Sequence, residues 1–236
     1  MKNFYLWILL LGLAACEKTE PELVLNFPAT YRATSFKSNA NIRLFTKTGE
    51  ITDQQVITKF TKKNGTSFLH PNGSTGNISP DQAETIQIET ASTAKSKTPS
   101  APFWTKFTIQ KKEPLVEFIA QDTTVFFTQH ELTVQHFNIS KAFFKYTNAF
   151  ETQMPIPGGG TMYKVVAKRV AYLSEKDKLT LPLLNYVLVN TNPGFSRSTY
   201  FYSGLNNEIK TQPDFNQLKV NDTIAWQSLE LVFEKQ

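Results

Sequence analysis

Few residues of this chain combine the type and the spacing that chemistry needs. The three histidines, His70, His130 and His136, are candidate metal ligands by type. On one extended strand His130 and His136 share a face but stand about 20 Å apart, too far for one ion. No carboxylate or cysteine pattern completes a site around them. Glu113 and Glu117 face one side of an extended segment at about 13 Å, beyond the roughly 5–9.5 Å that paired carboxylates span in glycoside hydrolysis. Pro157-Gly158-Gly159-Gly160 has the glycines of a phosphate cradle but not the lysine and Ser/Thr that follow in one. A strand-like run comes next instead of a helix, so a hairpin or rim loop is the expected form. Neither a Gly-x-Ser-x-Gly elbow nor a His-Glu-x-x-His pair occurs. The residues thus nominate no catalytic group, no metal ligand and no cofactor.

The single cysteine, Cys16, stands where an apolar run from Phe4 to Ala15 gives way to Glu17-Lys18-Thr19-Glu20. Twelve helical residues rise only about 18 Å, short of a bilayer core of about 30 Å. With Lys2 ahead of it, the run reads as the apolar region of a signal peptide. Leu13-Ala14-Ala15-Cys16 then resembles the lipobox of bacterial lipoproteins. The resemblance implies diacylglycerol on the Cys16 thiol, cleavage before it, and acylation of the new amine with chains such as palmitate. It divides the chain into a signal peptide (1–15), a lipidated cysteine and short tether (16–22), and a domain (23–236). No second cysteine exists for a disulfide within the chain. Glu17 to Glu22 resembles in part the acidic export signals of Bacteroidota surface lipoproteins, with Lys18 interrupting the acids. Glu17 is also not the aspartate associated with inner-membrane retention in enterobacteria, so an outer-membrane anchor is expected, on either leaflet.

A net charge of +5 and a pI near 9.1 raise the question of nucleic acid. The lysines are scattered singly among acids, with short clusters only at Lys62-Lys63 and Lys111-Lys112, and phosphate tracking needs a continuous stripe. No nucleic-acid partner is expected. Aromatic clusters are the better binding signal: Phe103-Trp104, Phe126-Phe127, Phe143-Phe144 with Tyr146, and Tyr200-Phe201-Tyr202. In a strand, adjacent rings point to opposite faces, so one ring of each set packs inside. The other faces either a second sheet, as part of a two-sided core, or solvent, where it could stack on a sugar or enclose a lipid. Asp122-Thr123-Thr124 and Asp222-Thr223-Ile224 resemble the O-glycan acceptor triplet of exported Bacteroidota proteins, and both also read as strand starts.

The elements that must position these groups are mostly strands. The 19 phenylalanines, 8 tyrosines and many threonines suit a pleated, half-buried surface. Alternation predicts strands over Asn41–Lys47, Thr85–Thr90, Phe103–Gln110, Leu115–Ala120 and Thr123–Thr128. Further strands are predicted from Leu132 to Ile139, Met162–Ala171, Leu183–Val189, Ser198–Tyr202 and Thr223–Phe233. One helix is predicted over Asp53–Lys63, capped by Thr52 with Gln55 in the capping-box position, and a short helical turn near Ser79–Glu84. The polar stretch Ala91–Pro102 reads as an exposed loop or a divider of the domain near 91–102.

Strands in series joined by short turns predict a mainly β fold, an antiparallel β-sandwich or β-barrel with one or two short helices. A lipocalin-like barrel is one form of it, though no signature motif matches. The expected function is that of a membrane-anchored envelope lipoprotein with a non-catalytic binding domain for a glycan, an apolar small molecule or a protein partner. A structural or adhesin-type component of a surface assembly is the alternative, and a hydrolase without a recognisable motif the third.

Overall fold

The computed structural model describes residues 25–38, 40–64, 69, 73–112, 115–128, 150–157, 159–175, 177–190, 196–203 and 214–236. Their strands are β1 (Ala29–Ser38), β2 (Arg43–Thr46), β3 (Gly49–Ile51), β4 (Thr75–Asn77), β5 (Thr85–Ile88), β6 (Thr93–Lys97) and β7 (Thr105–Lys112). β8 (Leu115–Thr128), β9 (Phe150–Pro155), β10 (Thr161–Glu175), β11 (Lys178–Asn190), β12 (Ser196–Ser203) and β13 (Asp222–Lys235) follow. Taken in chain order, β1, β5, β6, β7, β8, β10, β11 and β13 each lie antiparallel to the next, and β13 returns to β1. The result is a closed up-and-down barrel of 8 strands. Closure satisfies every ladder inside the wall and removes the edges that an open sheet would expose.

The wall is built on period-2 alternation with large residues set beside small ones. Phe107 of β7 sits in register between Ala94 of β6 and Ala120 of β8. Phe233 of β13 sits between Ala33 of β1 and Leu179 of β11. Each phenylalanine therefore has room to lean over a short neighbour, and among the described residues the interior at this level is packed with side chains. Phe107 and Phe118 meet edge to face at 6.3 Å, the arrangement their ring quadrupoles favour. Ala91–Pro102, which the sequence offered as a loop or divider, contributes β6 to this wall, with Ala94 and Ser96 buried.

Polar groups finish both ends of the barrel. At the base, where the chain enters at Leu25 and leaves at Lys235, Asn26 Nδ2 donates to Asp177 Oδ1 at 3.1 Å. Lys235 Nζ approaches the same carboxylate at 3.4 Å. Burial pushes the Tyr31 phenol above its usual value; Asn26, without full hydrogen-bond geometry, and Lys235 offset part of this. At the other end Arg169, in register with the inward-facing Phe118, forms a two-pronged ion pair with Glu84, one bond being Nη2 to Oε2 at 2.9 Å.

β11 and β13 outrun the barrel together. Beyond it β12 joins the free side of β11, and β2 followed by β3 joins β13, giving a sheet in the order β12-β11-β13-β2-β3. One face of it packs Phe45 against Trp226, centroids 4.0 Å apart, with Leu184, Tyr186 and Leu188. Leu218 and Phe215, at a short 3₁₀ helix over Phe215–Gln217, cover that face. The opposite face is covered by the helix α1 (Gln54–Asn64) through Ile57 and Phe60. Where β1 stops and β2 takes over along β13, buried Gln227 donates to Ser38 Oγ at 2.7 Å and to the Ala40 carbonyl at 2.8 Å, tying the corner. Gly76 of β4 lies opposite Phe36, whose ring occupies the place of a Cβ, so any larger residue there must displace that ring.

Two local expectations change. The α1 cap is Asp53, whose Oδ1 accepts from the amides of Gln55 at 2.8 Å and Val56 at 3.3 Å, rather than Thr52. A shorter acid reaches the first-turn amides from this position, the usual N-cap geometry. Residues 79–84 form a turn closed by Gln82 N to Ser79 O at 2.9 Å and not a helix. Among the described residues the second helical element is instead the 3₁₀ segment, started by the Asp214 carboxylate accepting from Asn216 N.

Candidate functional site

Three outward-facing residues stand in one row across the barrel wall. Register pairs Arg32 of β1 with Thr85 of β5, and Thr85 with Lys97 of β6. At about 4.8 Å between strands, the row places a guanidinium and an ammonium on either side of a hydroxyl. These positions face solvent because their neighbours Tyr31, Ala33, Ile86 and Ser96 are the inward ones. Two connections rise beside the row: the turn 79–84, with Pro80, Asp81 and Ala83, and the loop from Thr98 to Trp104. Together they enclose a cleft of about 230 Å³.

The indole of Trp104 forms one side of this cleft and is 37% exposed. Lys95 Nζ lies 5.3 Å from its ring centre while also pairing with Glu89 at 2.7 Å, which steadies the ring against the wall. The neighbouring Phe103 is 80% exposed. The Asp81 carboxyl is held below its usual range, first by the Ser79 hydroxyl and then by its own amide. It is therefore an ionised acceptor at neutral pH. Glu234 of β13 stands in register with Arg32 on the side away from Thr85 and does not line the cleft. Among the described residues neither Arg32 nor Lys97 has an ion-pair partner within 4.0 Å. The cleft thus offers a flat apolar ring, two cations, one anion and the hydroxyls of Thr85 and Thr98.

A larger depression of about 750 Å³ runs along α1 beside Gln54, Gln55, Thr58, Lys59, Lys62 and Lys63. All of these come from one exposed helix face, and no second described element brings a group to meet them. Convergence of groups from several elements is what fixes a ligand's orientation. The smaller cleft has that property and the larger does not.

Of the sequence candidates, Cys16, His70, His130, His136 and Glu113 lie outside the described residues, as do Phe143, Phe144 and Tyr146. Pro157, Gly159 and Gly160 lie in the β9–β10 connection, with Ile156 N bonded to Gly160 O at 3.2 Å and positive φ at Gly159 and Gly160, while Gly158 lies outside the described residues. Asp222 is buried and accepts from Lys219 N at 2.8 Å, while the Thr223 backbone is paired to β2 and β11 together. That triplet is part of a ladder. Among the described residues no cluster of histidine, cysteine and acids could hold a metal, and no helix is long and apolar enough to cross a membrane.

Glu117 has a structural task. It is nearly buried on β8, with Lys168 Nζ at 2.6 Å and Lys112 Nζ at 3.0 Å. Burial alone would raise its carboxyl, but the hydrogen bonds and charges of Lys168 and Lys112 outweigh this and hold it below the usual glutamate range. A carboxyl depressed in the folded state stabilises the fold above the unfolded value of about 4.3 and loses that contribution as pH falls through the folded value. Glu117→Gln is expected to flatten the acid limb of stability below about pH 4.5. Urea midpoints measured from neutral to acidic pH check it; parallel curves for variant and wild type would refute it.

Trp104, from the Phe103-Trp104 pair, is the one part of the cleft marked in the sequence as a binding signal. Arg32, Thr85 and Lys97 were missed as a group because register, and not sequence spacing, brings them together. The polar-outward alternation Thr93, Lys95, Lys97 was the available signal for one of them. No family model, curated protein or solved structure matches the chain.

Proposed function

We propose that the protein is an envelope lipoprotein, held to the outer membrane by acyl chains on Cys16, whose barrel is a non-catalytic binding domain with its ligand on the outer wall. The anchor rests on Leu13-Ala14-Ala15-Cys16 following the apolar run. The described chain starts at the base of the barrel at Leu25. Nine residue steps reach at most about 32 Å, so the base stays near the bilayer. The observation that carries the binding reading is the exposed indole of Trp104 beside Arg32, Lys97 and Asp81.

Among the described residues Tyr31, Phe107, Phe118 and Phe233 occupy the interior of the barrel, which argues against an apolar ligand at their level. An assembly role through strand donation is less supported. Of the two ends of the sheet, β3 has 3 residues and offers a donor little, while the 8-residue β12, which among the described residues pairs only with β11, is the edge that carries this second reading. Thermal unfolding of the full chain in detergent, with panels of fatty acids and of water-soluble oligosaccharides, tests the reading. A saturating outer-wall ligand at about 100 times its Kd adds about 2.7 kcal/mol, or about 5–10 °C for a domain of this size. A shift given by fatty acids and by no water-soluble compound would overturn it.

A further inference from the structure

Resting on the reading that the ligand binds on the outer wall, we infer that the Trp104 cleft takes one anionic sugar residue of a polysaccharide. The pyranose face lies on the indole and the anionic substituent sits between Arg32 and Lys97. Each part answers a feature of the cleft. Its 230 Å³ is below the about 300–1,000 Å³ that drug-sized ligands fill, which suits a single ring. Open on its solvent side, it leaves room for the rest of a chain to continue outward.

The C–H face of a pyranose is apolar and flat, as an indole requires, while its hydroxyls need both donors and acceptors. Thr85 and Thr98 supply hydroxyls, and Asp81 supplies an ionised acceptor. The sign of the charge comes from the row across the wall. Lys95, one alternation away on β6, is committed to Glu89, whereas Arg32 and Lys97 have no such partner among the described residues. A planar guanidinium and an ammonium two strands apart bracket a carboxylate or a sulfate ester, and Arg32 can hold either in bidentate fashion. A nucleic acid would need these cations continued along a track, and the wall breaks them with Asp81, Glu89 and Glu234.

The test uses the full chain in detergent and measures binding of three matched oligosaccharide sets: hexuronate, sulfated and neutral. At least one anionic set is expected to bind, at least tenfold more tightly than the neutral set, and to weaken as salt is raised. Trp104→Ala and Arg32→Gln should each weaken it at least tenfold while leaving the melting temperature within a few degrees, since both side chains are on the surface. Preference for hexuronate or for sulfate tells which anionic group the site reads. Equal binding of the neutral set overturns the anionic assignment and leaves the outer-wall reading standing. Anionic binding unchanged in both variants places the site elsewhere. Binding of acidic peptides in place of all three sets replaces the sugar with a protein partner. Stabilisation by fatty acids alone removes the outer-wall reading itself.

Discussion

Phe233→Ala is expected to lower the free energy of unfolding by about 3–5 kcal/mol, the range for removing a buried phenylalanine and leaving its cavity. Phe233 is fully buried and lies on the strand that closes the barrel, with Ala33 in register on one side and Leu179 on the other. Neither neighbour can fill the space: the alanine is too short, and the leucine is held by its own strand. A typical domain is stable by about 5–15 kcal/mol, so the loss is a large fraction of the whole. Val220→Ala is the control. Val220 is 79% exposed, and truncating it should change stability by no more than about 0.5 kcal/mol. Urea unfolding reads both, as a shifted midpoint with unchanged slope. A Phe233 variant within about 1 kcal/mol of wild type would mean that the seam between β13 and β1 does not close as described.

Cys16→Ser is expected to move the protein from the membrane fraction to the soluble one. Each methylene buried in the bilayer contributes about 0.8 kcal/mol, so two or three acyl chains hold firmly where one binds reversibly. Serine lacks the thiolate that accepts the first lipid, and without that step neither cleavage nor amine acylation follows. The wild type should withstand a carbonate wash and take up labelled palmitate; the variant should do neither. The released protein should keep the wild-type far-UV spectrum, which separates loss of the anchor from misfolding. Retention of the variant on washed membranes would sink the lipoprotein reading.

How much of this was legible in the sequence follows from side-chain size. Strands carrying bulky residues at alternate positions were plain, as at Thr85-Ile86-Gln87-Ile88 and along β10 and β13. β1 and β6 were hidden. Apart from Tyr31, their inward positions hold Ala29, Ala33, Ala94 and Ser96, small so that Ile88, Phe107 and Phe233 can lean over them. An alternation of small and polar residues does not announce itself. β8 read as two runs because Gln121 and Asp122 interrupt the pattern, where the ladder to β10 also shifts register. Helix α1 was visible from its apolar stripe, with the cap one residue early.

A barrel was one of the two forms that strands in series allowed, and it is the one found; the choice against a sandwich could not be read, since β1 and β13, which close it, come from opposite ends of the domain. The same non-locality hid the cleft. Arg32, Thr85 and Lys97 are unremarkable surface residues in one dimension and become a row only when β1, β5 and β6 lie side by side. Exposed aromatics at Phe103-Trp104 were legible because a hydrophobic pair next to a polar, proline-containing stretch has few neighbours to pack on.

The position of Arg32 on β1 has a mechanical consequence. β1 leads from Leu25, where the chain enters the barrel, and is paired along its length to β13 on one side and to β5 and β4 on the other. On the proposed anchor and ligand, tension between a polymer and the membrane would enter through Trp104, Lys97 and Arg32 together and leave through Leu25. It would be shared by the ladders that join β6 to β5 and β5 to β1, with the long pairing of β1 to β13 bracing the strand nearest the anchor.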